Sequence, residues 1–509
     1  MCANRSSDLD LMLINPHGQE ELYQELGRQL TAIEPPLWCR LIGGYMRDRG
    51  YAVEIVDAEA QGLGPRTVAL RVRERRPRLV AVVVFGHQPS ASTQQMAAAG
   101  PTVGAIKNAD PDQAIIIIGG HVAALPEQTM RGEAVDFACN GEGPVTVAQL
   151  LEVLRAGPPF DFAGVPGLVW RNHDALRNNA PAPLIMDLDR DLHGQVWDLL
   201  PMSRYRAHNW QCFGASDTRR PYASIHTSLG CPYRCTFCCI NAPFGTNRYR
   251  MRGAKSVVAE IDDLHETYGV KTFKIIDEMF VLNERHVADI CDELVSRGYD
   301  LNIWAYARID TVKPYMLRKM REAGIRWLAL GIESGSGHVR DGADKSFGQS
   351  DIIDVVREIQ GAGINVIGNF IFGLPDDDEA TMRQTLDLAT QLNCEFANFY
   401  CAMAYPGSRL YMMAVEKGWD LPRTWSGFSQ HSYDCLPLHT EKLSAAQVLR
   451  FRDNAFDRYF TNQRYLDMVT EKFGADTRSH IERMTGHKLR RQILDEPGAP
   501  ENASLCQPD

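Results

Sequence analysis

The strongest constraint on this chain is a repeated alternation of short, continuously apolar runs with helical patterns. Two of the runs, LVAVVVF at Leu79–Phe85 and AIIIIGG at Ala114–Gly120, lack the polar alternate residues of a half-exposed strand. Strands of that kind are buried on both faces, as in a parallel sheet covered by helices. Leu9–Ile14, Ala52–Asp57, Leu79–Phe85, Ala114–Gly119 and Val135–Cys139 supply five such strands within residues 1–155. A helix at Leu37–Arg49 lies between the first two, with Gly50 placed for a left-handed cap. This order predicts a doubly wound, Rossmann-like domain.

Residues 156–220 break the pattern. Pro and Gly are frequent there, and Trp170, Trp197, Tyr205 and Trp210 punctuate the stretch. It reads as a connector with some β-hairpin character, too apolar for a free linker. The alternation resumes over 221–405, with strands near Tyr222–Thr227, Thr272–Asp277, Leu301–Ala307, Arg326–Ile332, Ile364–Phe372 and Phe396–Met403. Helical patterns separate them at Ala254–Tyr268, Glu284–Arg297, Val312–Ala323, Asp351–Ala362 and Glu379–Leu392. Six strand–helix units predict a partial (βα)6 TIM-type barrel, closed or left as an open arc. Residues 406–509 read as mainly helical, notably Ser444–Phe473, and end in a polar tail expected to be disordered. The fold class expected is therefore α/β.

Composition narrows the functions available. The 509 residues carry a formal net charge of -10, which argues against a nucleic-acid binder relying on its overall field. The longest apolar runs are far shorter than the roughly 20 residues that span a bilayer. The opening stretch MCANRSSDLD lacks the apolar segment of a signal peptide, so a cytoplasmic protein without a membrane partner is expected. Thirteen cysteines in so long a chain do not suggest a disulfide framework. Nine are scattered singly and read as small buried apolar residues.

The other four sit in Leu229-Gly230-Cys231-Pro232-Tyr233-Arg234-Cys235-Thr236-Phe237-Cys238-Cys239, directly after the first strand of the second domain. Thiolates are soft ligands that suit iron–sulfur clusters or zinc. Three in one loop can wrap a cluster and leave one iron open to a cosubstrate. Cys239 adjoins Cys238 and is poorly placed to join them. A structural zinc would want four ligands, and His226 on the preceding strand is the candidate for the fourth.

Cys231, Cys235 and Cys238 form a Cys-x-x-x-Cys-x-x-Cys motif after the first strand of a six-unit barrel. On that motif the chain resembles the radical S-adenosylmethionine superfamily, although relatives often carry Arg where Leu229 stands. The resemblance implies a 4Fe-4S cluster whose open iron chelates S-adenosylmethionine (SAM) and cleaves it reductively to a deoxyadenosyl radical. It implies an electron donor such as flavodoxin or ferredoxin. Phe237 matches an aromatic near the adenine, or else simply packs the loop. Asp277-Glu278 resembles the acidic motif that meets the cosubstrate's amino group, the alternative for Asp277 being a helix cap. Arg308 closes the third strand. Gly331–Ser336, with Glu333 and Ser334, resembles a ribose-contacting segment, and Gly368 lies on the strand expected beside the adenine.

The first domain resembles the cobalamin-binding domain of one large class of these enzymes. The matching segments are Leu11–Pro16, Pro35–Asp57, Ile115–Pro126 and Val135–Gly143. In open parallel sheets, ligands bind beyond the carboxyl ends of the strands. The residues expected at cobalamin are therefore Asn15, Pro16, Gly86, His87, Ser90, Gly119, Gly120, His121, Gly141, Glu142 and Gly143. The Asp-x-His-x-x-Gly motif that gives other cobalamin proteins a cobalt ligand is absent, and Asp191-Leu192-His193 is the nearest approach to it. His87 is then either an axial ligand or an ordinary loop histidine.

The favoured function is a cobalamin-dependent radical methyltransferase acting on an unactivated carbon, or a phosphinate phosphorus, of a small molecule. In such enzymes one SAM methylates reduced cobalt and a second supplies the radical. A cyclase or ring-rearranging enzyme with the same cofactors but no methyl transfer is the alternative. A non-catalytic sensor is disfavoured by the open cluster site. A methylthiotransferase is disfavoured because the first domain lacks a second cysteine triad.

Overall fold

The computed structural model describes residues 8–18, 22–24, 31–173 and 175–495. The tail expected to be disordered, from Glu496 onward, lies outside them. The first sheet holds β1 (Leu11–Asn15), β2 (Val53–Asp57), β3 (Leu79–Val83), β4 (Ile115–Ile118), β5 (Phe137–Cys139), β6 (Leu168–Asn172) and β7 (Ala175–Asn178), in spatial order β2-β1-β3-β4-β5-β6-β7. The first five are parallel, and the β6–β7 hairpin adds to β5 antiparallel. The apolar runs are explained by two cores. Leu11, Leu13, Ile116 and Ile118 enter a large core that continues into the second sheet, while Met12, Ile14, Ile115 and Ile117 enter a smaller one behind the first. Each fully buried side chain of this kind contributes about 1.5–3 kcal/mol, so neither face tolerates a polar alternate.

The second sheet holds β8 (Tyr222–Ile225), β11 (Thr272–Ile275), β12 (Asn302–Arg308), β13 (Ile325–Glu333), β14 (Asn365–Phe372) and β15 (Phe396–Cys401), parallel and in sequence order. β8 and β15 do not pair, so the six units form an open arc. Between β8 and β11 a short ribbon, β9 (Ser228–Leu229) with β10 (Arg250–Met251), brackets the cysteine loop. The helices between strands start and stop where local chemistry dictates. Asn283 accepts a hydrogen bond from the His286 amide at 3.0 Å to open helix Glu284–Arg297. Gly269, at φ +68°, closes helix Ala254–Tyr268.

The C-terminal region is helical, but the run expected over Ser444–Phe473 is two helices, Ala445–Phe460 and Gln463–Phe473. Asn462 breaks the run, because its side chain accepts from the Arg464 amide at 2.9 Å and caps a new helix.

The two sheets are riveted together by a dry ion network. Arg40 of the first domain reaches Glu260 on the first barrel helix at 3.1 Å, and Arg252 reaches the same carboxylate at 2.5 Å, all three fully buried. Arg40 also donates to the Ser224 carbonyl at 2.7 Å, and Trp197 Nε1 to Glu260 at 3.1 Å. A second rivet joins Arg250 of β10 to Glu142 of the first domain and, at 2.6 Å, to the Ile185 carbonyl.

Candidate active site

The cysteine loop leaves β8 at the carboxyl end of the arc and is pinned at once. Asp277, at the end of β11, accepts from the Thr227 amide, Thr227 Oγ1 and Ser228 Oγ, each at 2.6 Å. Gly230 follows at φ +85°, where a Cβ would sit 2.1 Å from the Arg248 carbonyl oxygen. Only glycine lets the two sides of the ribbon approach so closely. Asn241 then clamps Cys231, donating to its carbonyl at 2.9 Å and accepting from its amide at 3.3 Å.

Cys231, Cys235 and Cys238 line one cavity of about 260 Å³. Among the described residues no three His, Cys, Asp or Glu side chains converge on a single ion. Sulfurs spread around one space suit a cluster that takes one thiolate per iron, not a tetrahedral zinc. The zinc reading is further weakened by His226, which is buried outside this cavity. Burial raises all three thiols above their ordinary range, Cys231 to about 11. Metal ligation is what keeps thiolates in such a place, so the donor set fits a cluster. Cys239 also lines the cavity, on the side of the first domain.

Of the residues expected at the cosubstrate, Phe237, Glu278, Arg308 and Glu333 line the cysteine cavity. Burial raises the Glu278 carboxyl to about 7 against the opposing pull of Lys274. Arg308 lies over the Tyr233 ring at 3.9 Å, pairs with Asp310 at 2.9 Å and approaches Cys235 Sγ at 3.6 Å. Glu333 sits at φ +65° beyond a register shift in β13, a costly conformation for a side-chain-bearing residue. That turn brings it 2.5 Å from Lys345 Nζ, in a pair packed over Gly331.

Three expected residues lie elsewhere. Asp277 is occupied by Thr227 and Ser228 and neither lines the cysteine cavity nor caps the next helix, which Asn283 caps. Ser334 is buried against Thr385 at 3.1 Å. Gly368 faces Phe370 and Cys394, because on β14 the cavity face belongs to Asn369 and Ile371. Sequence reasoning missed Lys345, Asn241 and the lumen pair Tyr306 and Tyr400. No local pattern marks any of them.

Beneath this cavity the arc's lumen opens into a chamber of about 440 Å³, walled by Trp304, Tyr306, Asn369 and Tyr400 on the barrel side. Pro16, Glu34, His87, Gln94 and Gln95 wall it on the first-domain side. Trp210 closes its floor, with ring centroids 5.2 Å from Trp304 and 5.4 Å from Trp327. The Gly86–Gln88 turn and Gly120 also line a crevice of about 60 Å³ against Ser228–Gly230, and Ser90 lines the cysteine cavity. Thus the carboxyl ends of both sheets face one another. Gly86, at φ +74°, has no room for a Cβ beside Ala91, and a Cβ on Gly119 would lie 2.4 Å from the Val84 carbonyl oxygen. Gln95 Oε1 is buried at the chamber without a hydrogen-bond partner. Close-packed glycines and an unpaired polar atom facing a wide space fit a large polar-edged macrocycle.

Several residues expected at cobalamin serve the scaffold instead. Asn15 donates to Asp57 at 2.9 Å. His121 meets Thr93 Oγ1 at 3.2 Å and packs edge-to-face with Trp425, ring centroids 4.5 Å apart, and burial lowers its pKa to about 4. Glu142 is the partner of Arg250, and Gly143 packs tightly on Ile118. Gly141, Glu142 and Gly143 line neither the chamber nor the crevice. His87 stands 3.9 Å from Glu59. Burial alone would lower its pKa, but Glu34 and Glu59 outweigh it and the net shift is upward.

Residues 225–389 match the family model of the Radical SAM superfamily, and residues 26–151 match that of the B12 binding domain. An uncharacterized methyltransferase of Pyrococcus horikoshii is 28% identical over 83% of this chain and 86% of its own length. The anaerobic magnesium-protoporphyrin IX monomethyl ester cyclase of Cereibacter sphaeroides is 26% identical over 76% of this chain and 62% of its own length. Among solved structures, the radical S-adenosylmethionine methyltransferase TsrM from Kitasatospora setae, with cobalamin and a 4Fe-4S cluster bound, superposes with a TM-score of 0.64. It is 19% identical, and the match covers 89% of each chain.

Proposed function

Because this chain belongs to the radical S-adenosylmethionine superfamily and joins that barrel to a B12-binding domain, we propose that it moves a methyl group to an unactivated carbon, or a phosphinate phosphorus, of a small molecule. One observation carries this reading. The cysteine cavity and the chamber between the sheets meet at Gln88, Tyr306, Asn369 and Tyr400. A small molecule at that junction touches both compartments at once. When bound, the cluster and the corrin supply, respectively, reductive cleavage of SAM and the methyl group to be moved.

The chain's own part is positional. Cys231, Cys235 and Cys238 hold the cluster. Glu333 accepts hydrogen bonds from ribose hydroxyls, and Lys345, 2.5 Å away, keeps it oriented. Arg308 and Glu278 address the carboxylate and amino group of the cosubstrate, and Phe237 offers a flat face to its adenine. Pro16, Gly86, His87, Ser90 and Gly120 contact the corrin. The tryptophan floor and the aromatic lumen walls keep water from the junction, which protects a reactive radical.

Anaerobic reconstitution with iron, sulfide and cobalamin, followed by reductant and SAM, tests this. S-adenosylhomocysteine and methylated cobalamin should form even without substrate. Deoxyadenosine without either product would favour a cyclase-like or rearranging reaction, the reading supported by the similarity to the magnesium-protoporphyrin cyclase. Cys235→Ala should abolish deoxyadenosine. No helix among the described residues is long and apolar enough to cross a membrane. We place the protein in the cytoplasm, a reading supported by the free thiols throughout its described cores.

A further inference from the structure

The polar side chains at the junction of the two cavities are set by the strands that carry them. Asn369 on β14 donates from Nδ2 to the Leu330 carbonyl at 3.1 Å, which leaves its Oδ1 to accept from Asn398 Nδ2 on β15 at 2.9 Å. A backbone carbonyl thus fixes the first amide, and the first fixes the second. Asn398 Oδ1 ends this relay and accepts from no protein group among the described residues, although Asn398 lines the chamber. Tyr400, two residues further along β15, and Tyr306 on β12 are half-buried and line both cavities. Neither hydroxyl has a hydrogen-bond partner among the described residues. Burial raises both phenols above their ordinary range, so each stays an O–H donor.

The charges around this ring are matched within the protein. Among the described residues, every lysine and arginine walling the two cavities has a carboxylate. Lys274 meets Glu34 at 3.0 Å, Arg452 meets Asp453 at 2.7 Å and Lys488 meets Asp457 at 2.6 Å. Arg308 meets Asp310 at 2.9 Å and Lys345 meets Glu333 at 2.5 Å. His87 has Glu59 at 3.9 Å, and burial lowers His208 and takes His431 to about 3. A carboxylate or phosphinate would therefore be buried without a counter-charge, and it has no hydrogen for Asn398 Oδ1. An amidinium has no lone pair for the two phenols. Deeper in the lumen Trp304, Ile367 and Trp210 offer apolar walls to a flat body.

We propose that the substrate enters the junction by an uncharged amide-type edge, a carbonyl beside an N–H as in a carboxamide or lactam, on a flat apolar body. Tyr306 and Tyr400 donate to the carbonyl, and the N–H donates to Asn398 Oδ1. The inference rests on the reading that the junction holds the methyl acceptor, and it selects carbon over phosphinate phosphorus. Corrin acetamides carry the same edge, so the test is made with cobalamin loaded and again without it.

The probes are benzamide, benzoate, benzamidine and phenylphosphinate, similar in size and different in charge. Saturation-transfer NMR titration of protein reconstituted with cluster and cobalamin, in sealed anaerobic tubes, should show benzamide binding at least tenfold tighter than the other three. Tyr306→Phe with Tyr400→Phe should weaken benzamide at least tenfold. Asn398→Asp should turn the preference to benzamidine, a gain that a damaged fold does not give. Benzoate, benzamidine or phenylphosphinate binding as tightly as benzamide to the unaltered protein overturns the proposal. Benzamide binding that is absent, or unmoved by these variants, overturns it as well. Binding that vanishes once cobalamin is loaded assigns the edge to the corrin and overturns it too. Deoxyadenosine without S-adenosylhomocysteine or methylated cobalamin, in a preparation that still prefers benzamide, refutes methyl transfer instead.

Discussion

Gly230→Ala is the sharpest probe of the cysteine loop. At φ +85° an alanine pays about 1–2 kcal/mol for the left-handed conformation. Its Cβ would also lie 2.1 Å from the Arg248 carbonyl oxygen, whereas ordinary contact begins at 3.4 Å. The ribbon must therefore part by more than an ångström, at a cost of about 1–3 kcal/mol. Relief is available by moving Cys231 or by breaking the pairing of Leu229 with Arg250. Either loosens one corner of the ligand set. Gly245 supplies the control, since it has φ +62° and nothing within 4 Å of its Cβ. Gly245→Ala should cost only the conformational part, about 1–2 kcal/mol, and keep its iron. Iron and sulfide per chain after anaerobic reconstitution, with melting temperature alongside, make the comparison. Gly230→Ala should hold half its iron or less and melt several degrees below Gly245→Ala. Full iron with equal melting in the two variants would refute the close-approach argument.

Glu260→Gln leaves the fully buried Arg40 without a counter-charge and Arg252 with only Asp189 at 3.7 Å, so unfolding free energy should drop by about 3–5 kcal/mol, measured by urea denaturation. Lys345→Met removes the partner of Glu333 and should raise the SAM concentration for half-maximal deoxyadenosine formation about tenfold, read by steady-state titration. Asp57 has its pKa raised to about 6 by burial, with Glu59 adding to the rise against the hydrogen bonds from Asn15, Ala60 and Tyr205. The folded chain keeps a proton there that the unfolded chain releases, so stability falls as pH rises from roughly 4 to 6. Asp57→Asn should flatten that stretch of the melting profile of the apoprotein; an unchanged slope would show that other groups set it.

The parallel strands were legible because burial on both faces leaves no polar alternates, and their carboxyl ends led directly to the cysteine loop. Chain-distant pairings were not legible. Glu142 looks like a loop carboxylate at a ligand site until Arg250 is seen to need it, and nothing local links residues 108 positions apart. Gly368 was misplaced for a different reason. Alternation along β14 turns it away from the lumen, and a face assignment starting from Asn369 would have caught this. Lys345 comes after helix Gly337–Gly342, and its partner Glu333 is left-handed, a conformation no sequence pattern announces. Helix Ala91–Ala109 carries Pro101 in its interior, which masks a helical signal that packing sustains.

The Arg40–Glu260 pair holds the two sheets against one another. Swinging them apart would part Arg40 from Glu260 while Arg252 stays with it, and a penalty of about 4 kcal/mol leaves roughly one molecule in a thousand open at any moment. The chamber wall at Asp453 and Asp457 of helix Ala445–Phe460, and at Lys488 beyond helix Ala475–Gly486, is then where the C-terminal region sets what fits. Substrate range in this protein should follow the C-terminal helices more closely than the catalytic loop.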